Sequence, residues 1–327
     1  MKVLITGGAG FLGQRLAREL LARGQIKGPN GQPETITELV LLDVVRATGF
    51  DGDARVRAEV GDIADRAVLE RVIDTQTQTI FHLAAVVSGQ AEADFELGMR
   101  INLDASRELL ETCRLLGHKP RVVFTSSVAV YGGALPAVVQ NDTALNPQSS
   151  YGMQKAVAEL LLNDYARRGF VDGRVLRLPT ISVRPGKPNA AASSFASGII
   201  REPLNGETSV CPVAGSTRLW LLSPRKAIEC LIAGCELDAA ALGLQRVVNL
   251  PGLSVSVDEM LDALREVAGE AVVARVEWQA DPRVEKIVGS WPGQWDTTRA
   301  RQLGLTGDAS FADVIRSYLE DERISVR

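Results

Sequence analysis

Two hydrophobic rhythms alternate along the first half of the chain. Short, continuous apolar runs at 2–6, 38–43, 79–84, 121–125 and 173–178 have the length and composition of strands buried on both faces. Between them, 11–23, 66–75, 99–116 and the segment opened by Ser150 and Tyr151 carry apolar residues at helical spacing. Strand and helix in strict alternation predict an α/β fold, a doubly wound parallel sheet of the Rossmann type. Such sheets bind their ligands beyond the carboxyl ends of the strands.

From Pro179 onward the rhythm loosens around 184–188, 190–197 and 203–206, which predicts a smaller, irregular C-terminal substrate lobe. A helix at 224–237 and a strand at 246–250 are expected to return to the first sheet. The expected division is therefore 1–180 with 224–250 for the dinucleotide-binding part, and 181–223 with 251–327 for the substrate lobe. Residues 25–34, with Gly28, Pro29, Asn30, Gly31 and Pro33, read as a turn-rich insertion that lengthens one loop. The chain shows no internal repeat, heptad or low-complexity tract.

Composition narrows the partners. With 327 residues, 46% hydrophobic and 23% charged, the chain can bury a large core. Its net charge of -4 comes from interspersed acids and bases, with no basic stripe or polybasic tail, so neither nucleic acid nor membrane is expected. The apolar run Val3-Leu4-Ile5 breaks at once into glycines, too short for a secretory core, and a cytoplasmic location is expected. Cys113, Cys211, Cys230 and Cys235 lack metal-ligand spacing and read as reduced, packed thiols; no metal site is expected.

The chemistry begins at Thr6-Gly7-Gly8-Ala9-Gly10-Phe11-Leu12-Gly13, between the opening strand and the first helix. Glycines at 7, 10 and 13 permit a tight turn, close backbone approach to a diphosphate and close helix packing, while the helix N-terminus offers free N–H groups. Asp43 ends the second strand, where a carboxylate can hold both ribose hydroxyls of an adenosine; this favours NAD over NADP, although Arg46 lies close and a turn or cap role for Asp43 is the alternative. In Gly61-Asp62-Ile63, Asp62 is placed to accept from an adenine amino group. The small residues of Leu83-Ala84-Ala85 let a cofactor lie flat, and His82 is expected to pack beside the sheet without a catalytic role.

Tyr151 and Lys155 sit one helical turn apart and face the same way. A phenol titrates near ~10, so a tyrosine base at neutral pH needs nearby positive charge. Lys155 supplies it, and the cationic ring of an oxidised nicotinamide adds to it. Ser127, closing the run Val123-Phe124-Thr125-Ser126-Ser127, can hold a substrate hydroxyl, with Ser126 beside it. Taken singly these residues also fit a surface ion pair and a turn; their order behind a dinucleotide loop is what makes them a hydride-transfer set.

That ordered set, with Gly7/Gly10/Gly13, Asp62, Leu83-Ala84-Ala85, Asn102, Ser127, Val130-Tyr131-Gly132 and Tyr151/Lys155, resembles the extended short-chain dehydrogenase/reductases over essentially the whole chain. The resemblance implies Tyr151 as general base, Lys155 as its tuner and ribose ligand, and Ser127 as the orienting hydroxyl. It further implies that Asn102 shapes the site, that Ile63 and Pro179 join the cofactor contacts, and that the protein is a homodimer. Many relatives handle nucleotide sugars and follow the sixth strand with an asparagine that contacts the diphosphate; here Arg177-Leu178-Pro179-Thr180 puts Thr180 in its place. Of the later phosphate-reading segment only Arg218 remains, in Arg218-Leu219-Trp220-Leu221. An arginine grips a carboxylate as readily as a phosphate, so Thr180, Arg184 and Arg218 favour a small acidic substrate, unless either arginine simply pairs with Asp or Glu.

The runs from Ser182 to Phe195 and from Leu221 to Ala227 resemble the bacterial D-erythronate dehydrogenase branch, which implies NAD-dependent oxidation of the 2-hydroxyl of a four-carbon sugar acid. Residue chemistry alone reaches hydride transfer on a small hydroxy acid. A nucleotide-sugar epimerase, dehydratase or reductase is the alternative, and a non-enzymatic dinucleotide-binding redox sensor the third reading. Trp291 and Trp295 read equally as a cover over the substrate or as packing for the small lobe.

Overall fold

The computed structural model describes residues 1–186 and 191–324. The run Lys187 to Ala190, part of the second resemblance, lies outside them. Seven strands form the central sheet: β1 (Lys2–Thr6), β2 (Glu38–Asp43), β3 (Val56–Val60), β4 (Thr77–His82), β5 (Arg121–Ser127), β6 (Asp172–Leu178) and β7 (Val247–Asn249). They run in the order β7-β6-β5-β4-β1-β2-β3, every neighbouring pair parallel. The order reverses between β1 and β4, and the doubly wound sheet expected from the sequence is present.

Side chains alternate across it. Val3, Ile5, Leu39, Leu41, Phe81 and Val123 face one core, shared with helices α1 (Phe11–Arg23) and Pro224–Glu236. Leu4, Val40, Leu42, Ile80, Val122 and Phe124 face the other, covered by α2 (Arg66–Val72), α3 (Ala105–Leu116) and α4 (Ser150–Arg167). All five residues of β1 are buried, which is why the strand reads as an unbroken apolar run. A separate core joins the helices α5 (Phe195–Leu204), α6 (Val257–Ala268) and α7 (Phe311–Glu322) to the strand Arg218–Leu222. That strand pairs with Thr180–Ile181 and Leu253–Ser256 in a small three-stranded sheet.

Several boundaries differ from expectation for local reasons. The insertion at 25–34 is mostly a short hairpin, Gln25–Lys27 against Pro33–Thr35. The helix expected at 66–75 stops at Val72, where Ile73 is extended and the Asp74 carboxylate turns the chain back on Gln76 and Thr77. β3 escapes the pattern because it is an edge strand whose Arg57 pairs with Glu38 and Glu59, masking the apolar alternation. The helix expected from 99 opens with a wide turn of π geometry, Met99–Asp104, before α3. Among the described residues no helix is long and apolar enough to cross a membrane.

Candidate active site

A cavity of about 360 Å³ runs along the carboxyl edge of the sheet, from the glycine loop to the small lobe. At one end lie Gly7, Gly10, Phe11, Leu12 and Gly13. No side chain caps the N-terminus of α1, so the first-turn N–H groups remain open to an anion. Gly7 has φ +72°, and a Cβ there would meet Ala84 N at 2.9 Å. At Gly13 a Cβ would lie 2.1 Å from Gly7 O, which only glycine avoids. The uncapped helix and the bare cradle fit a dinucleotide diphosphate.

The middle of the cavity is lined by Leu83, Ala85, Thr125, Ser126, Ser127, Tyr151, Lys155 and Pro179. β5 ends there, so Ser126 and Ser127 emerge where the strand gives out, and α4 starts there because Ser149 caps it through Gly152 N. Gly152 has no room for a side chain: a Cβ would sit 2.1 Å from Ala129 O, and this contact seats the start of α4 against the turn after Ser127. Lys155 Nζ donates to Thr125 O at 3.0 Å, stands 4.6 Å from the Phe124 ring centre and 5.8 Å from that of Tyr151. Ser127 Oγ accepts from Ala129 N at 3.2 Å. The Ser126 hydroxyl, 3% exposed, has no hydrogen-bond partner among the described residues.

Burial sets the charges. It pushes the Tyr151 phenol up to about 12, against a hydrogen bond from Ser127 and the charge of Arg184. It pushes Lys155 down to about 8, against the carboxylate of Glu159 one turn on. The protein alone therefore keeps the phenol protonated at neutral pH, and added positive charge is required to make it a base.

At the far end the cavity is lined by Thr180, Ile181, Arg184, Ser193, Ser194, Arg201 and Trp291. Arg184 is half-buried and forms an ion pair with no described residue. Burial, helped by Arg201, holds its guanidinium below the usual value, with Tyr151 acting the other way. Arg201 Nη1 donates to Arg184 O at 2.7 Å and Nη2 pairs with Glu202 at 2.5 Å, so Arg201 braces the segment that carries Arg184.

The remaining sequence candidates stand elsewhere. Arg218, expected as one of two carboxylate partners, lies outside the cavity: its guanidinium is taken up by Glu259 at 3.0 Å and Ser254 O at 2.9 Å. Asn102 is 1% exposed and does not reach the cavity; its side chain accepts from Val86 N at 2.9 Å, donates to Val86 O at 3.2 Å and to Gln154 at 2.8 Å. It thereby ties the loop after β4 to α4. Asp43 accepts from Ala9 N at 3.0 Å and Val44 N at 2.8 Å, beside the exposed Val44 and Val45. Asp62 caps Ala64 N at 2.9 Å and pairs with Arg100 at 2.6 Å. Neither these two nor Ile63 and Ala84 line the cavity. His82 is buried between Thr6 at 2.8 Å and Ser106 at 2.9 Å, and burial with the Lys155 charge pushes it down to about 3.

Trp291 lines the cavity, whereas Trp295 is 2% exposed and packs on Tyr131 and Trp220. The sequence reading passed over Ser88, Ser193, Ser194 and Arg201 as cavity residues. Ser193 and Ser194 fall in the run from Ser182 to Phe195 without being singled out in it, and Arg201 sits beside Glu202 in a mostly apolar helix, α5, where it reads as half of a local ion pair. The cysteines are buried and unbridged, and no group of metal-ligating side chains occurs among the described residues.

Comparison with known proteins adds three findings. The model of the NAD dependent epimerase/dehydratase family matches residues 3–221. The chain is 69% identical over 321 residues to a D-erythronate dehydrogenase of Cupriavidus necator, covering 98% of each, and 47% identical over 320 residues to one of Haemophilus influenzae, covering 98% of this chain and 99% of the other. Among solved structures, a nucleoside-diphosphate-sugar epimerase from Agrobacterium tumefaciens superposes with TM-score 0.94 at 42% identity, over 100% of this chain and 96% of that one.

Proposed function

The chain belongs to the NAD dependent epimerase/dehydratase family, and from that footing we propose that it is an NAD-dependent dehydrogenase that oxidises D-erythronate to 2-oxo-D-erythronate. The observation that carries this reading within the site is Arg184, which forms no ion pair with any described residue and lines the same cavity as Tyr151 and Ser127. A guanidinium without a carboxylate partner, half-withdrawn from water, is a receptor for an anion.

The N-terminus of α1 over Gly7, Gly10 and Gly13 would hold the cofactor's diphosphate, and Phe11, Leu12, Leu83, Ala85 and Pro179, which line the same cavity, would contact the rest of it. Asp43 at the end of β2, and Asp62 with Ile63 and Ala84, would serve the adenosine half. When bound, oxidised NAD supplies the hydride acceptor and a cationic ring that adds to the Lys155 charge in favouring the phenolate. Arg184 grips the substrate carboxylate. Ser127 and Tyr151 hold the C2 hydroxyl, and Thr180 and Ser126 face the rest of the molecule. Tyr151 takes the hydroxyl proton, and Lys155 stabilises the phenolate that results. The buried setting, which raises the phenol when the site is empty, strengthens each of these charge interactions once the site is filled.

Tyr151→Phe removes the base and leaves the cradle intact. Turnover should fall by a factor on the order of 100 to 10,000 while NAD binding persists. Near-normal turnover in that variant would remove Tyr151 from the mechanism. The likeness to the nucleoside-diphosphate-sugar epimerase favours a second reading, turnover of a nucleotide sugar with no net change in NAD. The stronger identity to the two erythronate dehydrogenases, and Thr180 where an asparagine is common, favour the first. We further propose a cytoplasmic homodimer, with Leu115 on α3 and Leu160 on α4, both exposed, available to the second copy.

A further inference from the structure

The loop that carries Trp291 is held at both sides. Before it, Trp291 N donates to Val288 O at 3.1 Å and Ser290 Oγ to Ile287 O at 2.6 Å. After it, Val139 N donates to Gln294 O at 3.0 Å and Asp296 N to Val139 O at 2.8 Å, and the buried Trp295 locks edge-on against Tyr131 at 6.0 Å. Arg218 backs the turn between them: a Cβ on Gly293 would sit 3.1 Å from Arg218 Cγ. A loop anchored at both sides keeps Trp291 in the cavity lining.

Its position is on the substrate side. Trp291 packs both on the small-lobe core and on the cluster of Val128, Val130 and Tyr131 that directly follows Ser127. For a sugar acid with its carboxylate on Arg184 and its C2 hydroxyl at Ser127 and Tyr151, the remaining carbons extend from C2 into the rest of the same cavity, which Trp291 helps to line. We infer that Trp291 is the specificity residue that limits the length of the sugar acid, admitting a four-carbon chain and excluding longer ones. This rests on the dehydrogenase reading above and adds the structural reason for its substrate's size.

Three substrates test it: D-erythronate, D-ribonate and D-allonate, which share configuration at C2 and C3 and differ in length. With wild-type protein and NAD, kcat/KM should fall at least about 100-fold from the four-carbon to the six-carbon acid, because a fixed wall excludes added carbons more sharply than a missing contact does. Trp291→Ala should raise the six-carbon to four-carbon ratio by about tenfold or more, with Trp291→Phe between the two. A flat length profile in the wild type, which needs no variant to fold, overturns the length limit and leaves the dehydrogenase reading standing. A steep profile that Trp291→Ala leaves unchanged, in a variant whose Tm matches wild type, also overturns it. Absence of turnover with all three acids in the wild type overturns both readings together.

Discussion

A phenol at about 12 and a lysine at about 8 are the fingerprints of one cause, withdrawal from water, acting on groups of opposite charge type. The pair Tyr151/Lys155 was legible in sequence because helical spacing alone makes the two residues neighbours. The arginines were not distinguishable in this way. Arg184 and Arg218 read alike as candidate carboxylate partners, yet only Arg184 is without an ion-pair partner among the described residues, because partner choice depends on residues far along the chain: Glu259 and Ser254 claim Arg218. Arg184→Ala should therefore raise KM for the sugar acid by roughly 10- to 100-fold, the scale of a lost charge-assisted hydrogen bond pair. Arg218→Ala should change it by less than about threefold, consistent with a weak, exposed ion pair. Steady-state kinetics on the two variants decide the matter, and equal effects would return Arg218 to the site.

At the scale of elements, the strand-to-helix junctions carried the prediction. β1, the glycine loop and α1 follow from sequence because Gly7 and Gly13 answer local steric demands. β3, α6 and α7 do not, since their apolar faces are completed by distant partners or interrupted by edge charges. One such long-range junction fixes the catalytic helix. Glu159, one turn beyond Lys155, meets Arg177 of β6 through Nε at 2.9 Å and Nη2 at 2.6 Å, and Arg177 also donates to Tyr131. Both members of the ion pair are buried. Glu159→Ala leaves an uncompensated guanidinium in the core and should cost about 3–5 kcal/mol by chemical denaturation. A loss under about 1 kcal/mol would mean that water or Tyr131 satisfies Arg177 unaided.

Across the whole molecule, the site is a seam. Tyr151, Lys155 and Ser127 come from the sheet and its helix, while Arg184, Arg201 and Trp291 come from chain that follows β6. The first group follows the strand-to-helix rhythm and was readable; the second combines two loop residues, Arg184 and Trp291, with Arg201 of α5, whose convergence only the folded chain brings about. Asn102 marks the border, predicted near the site yet found holding the loop after β4 from behind. On the proposed function the two halves divide the work, one moving the proton and accepting the cofactor, the other selecting a small acid. The direct test is the near-ultraviolet absorbance of reduced nicotinamide when the protein is mixed with NAD and D-erythronate, set against a nucleotide sugar such as UDP-glucose. Stoichiometric NADH and a 2-oxo acid are expected from D-erythronate, and no NADH from the nucleotide sugar. Conversion of the nucleotide sugar without net NADH, and silence with D-erythronate, would contradict the proposed function.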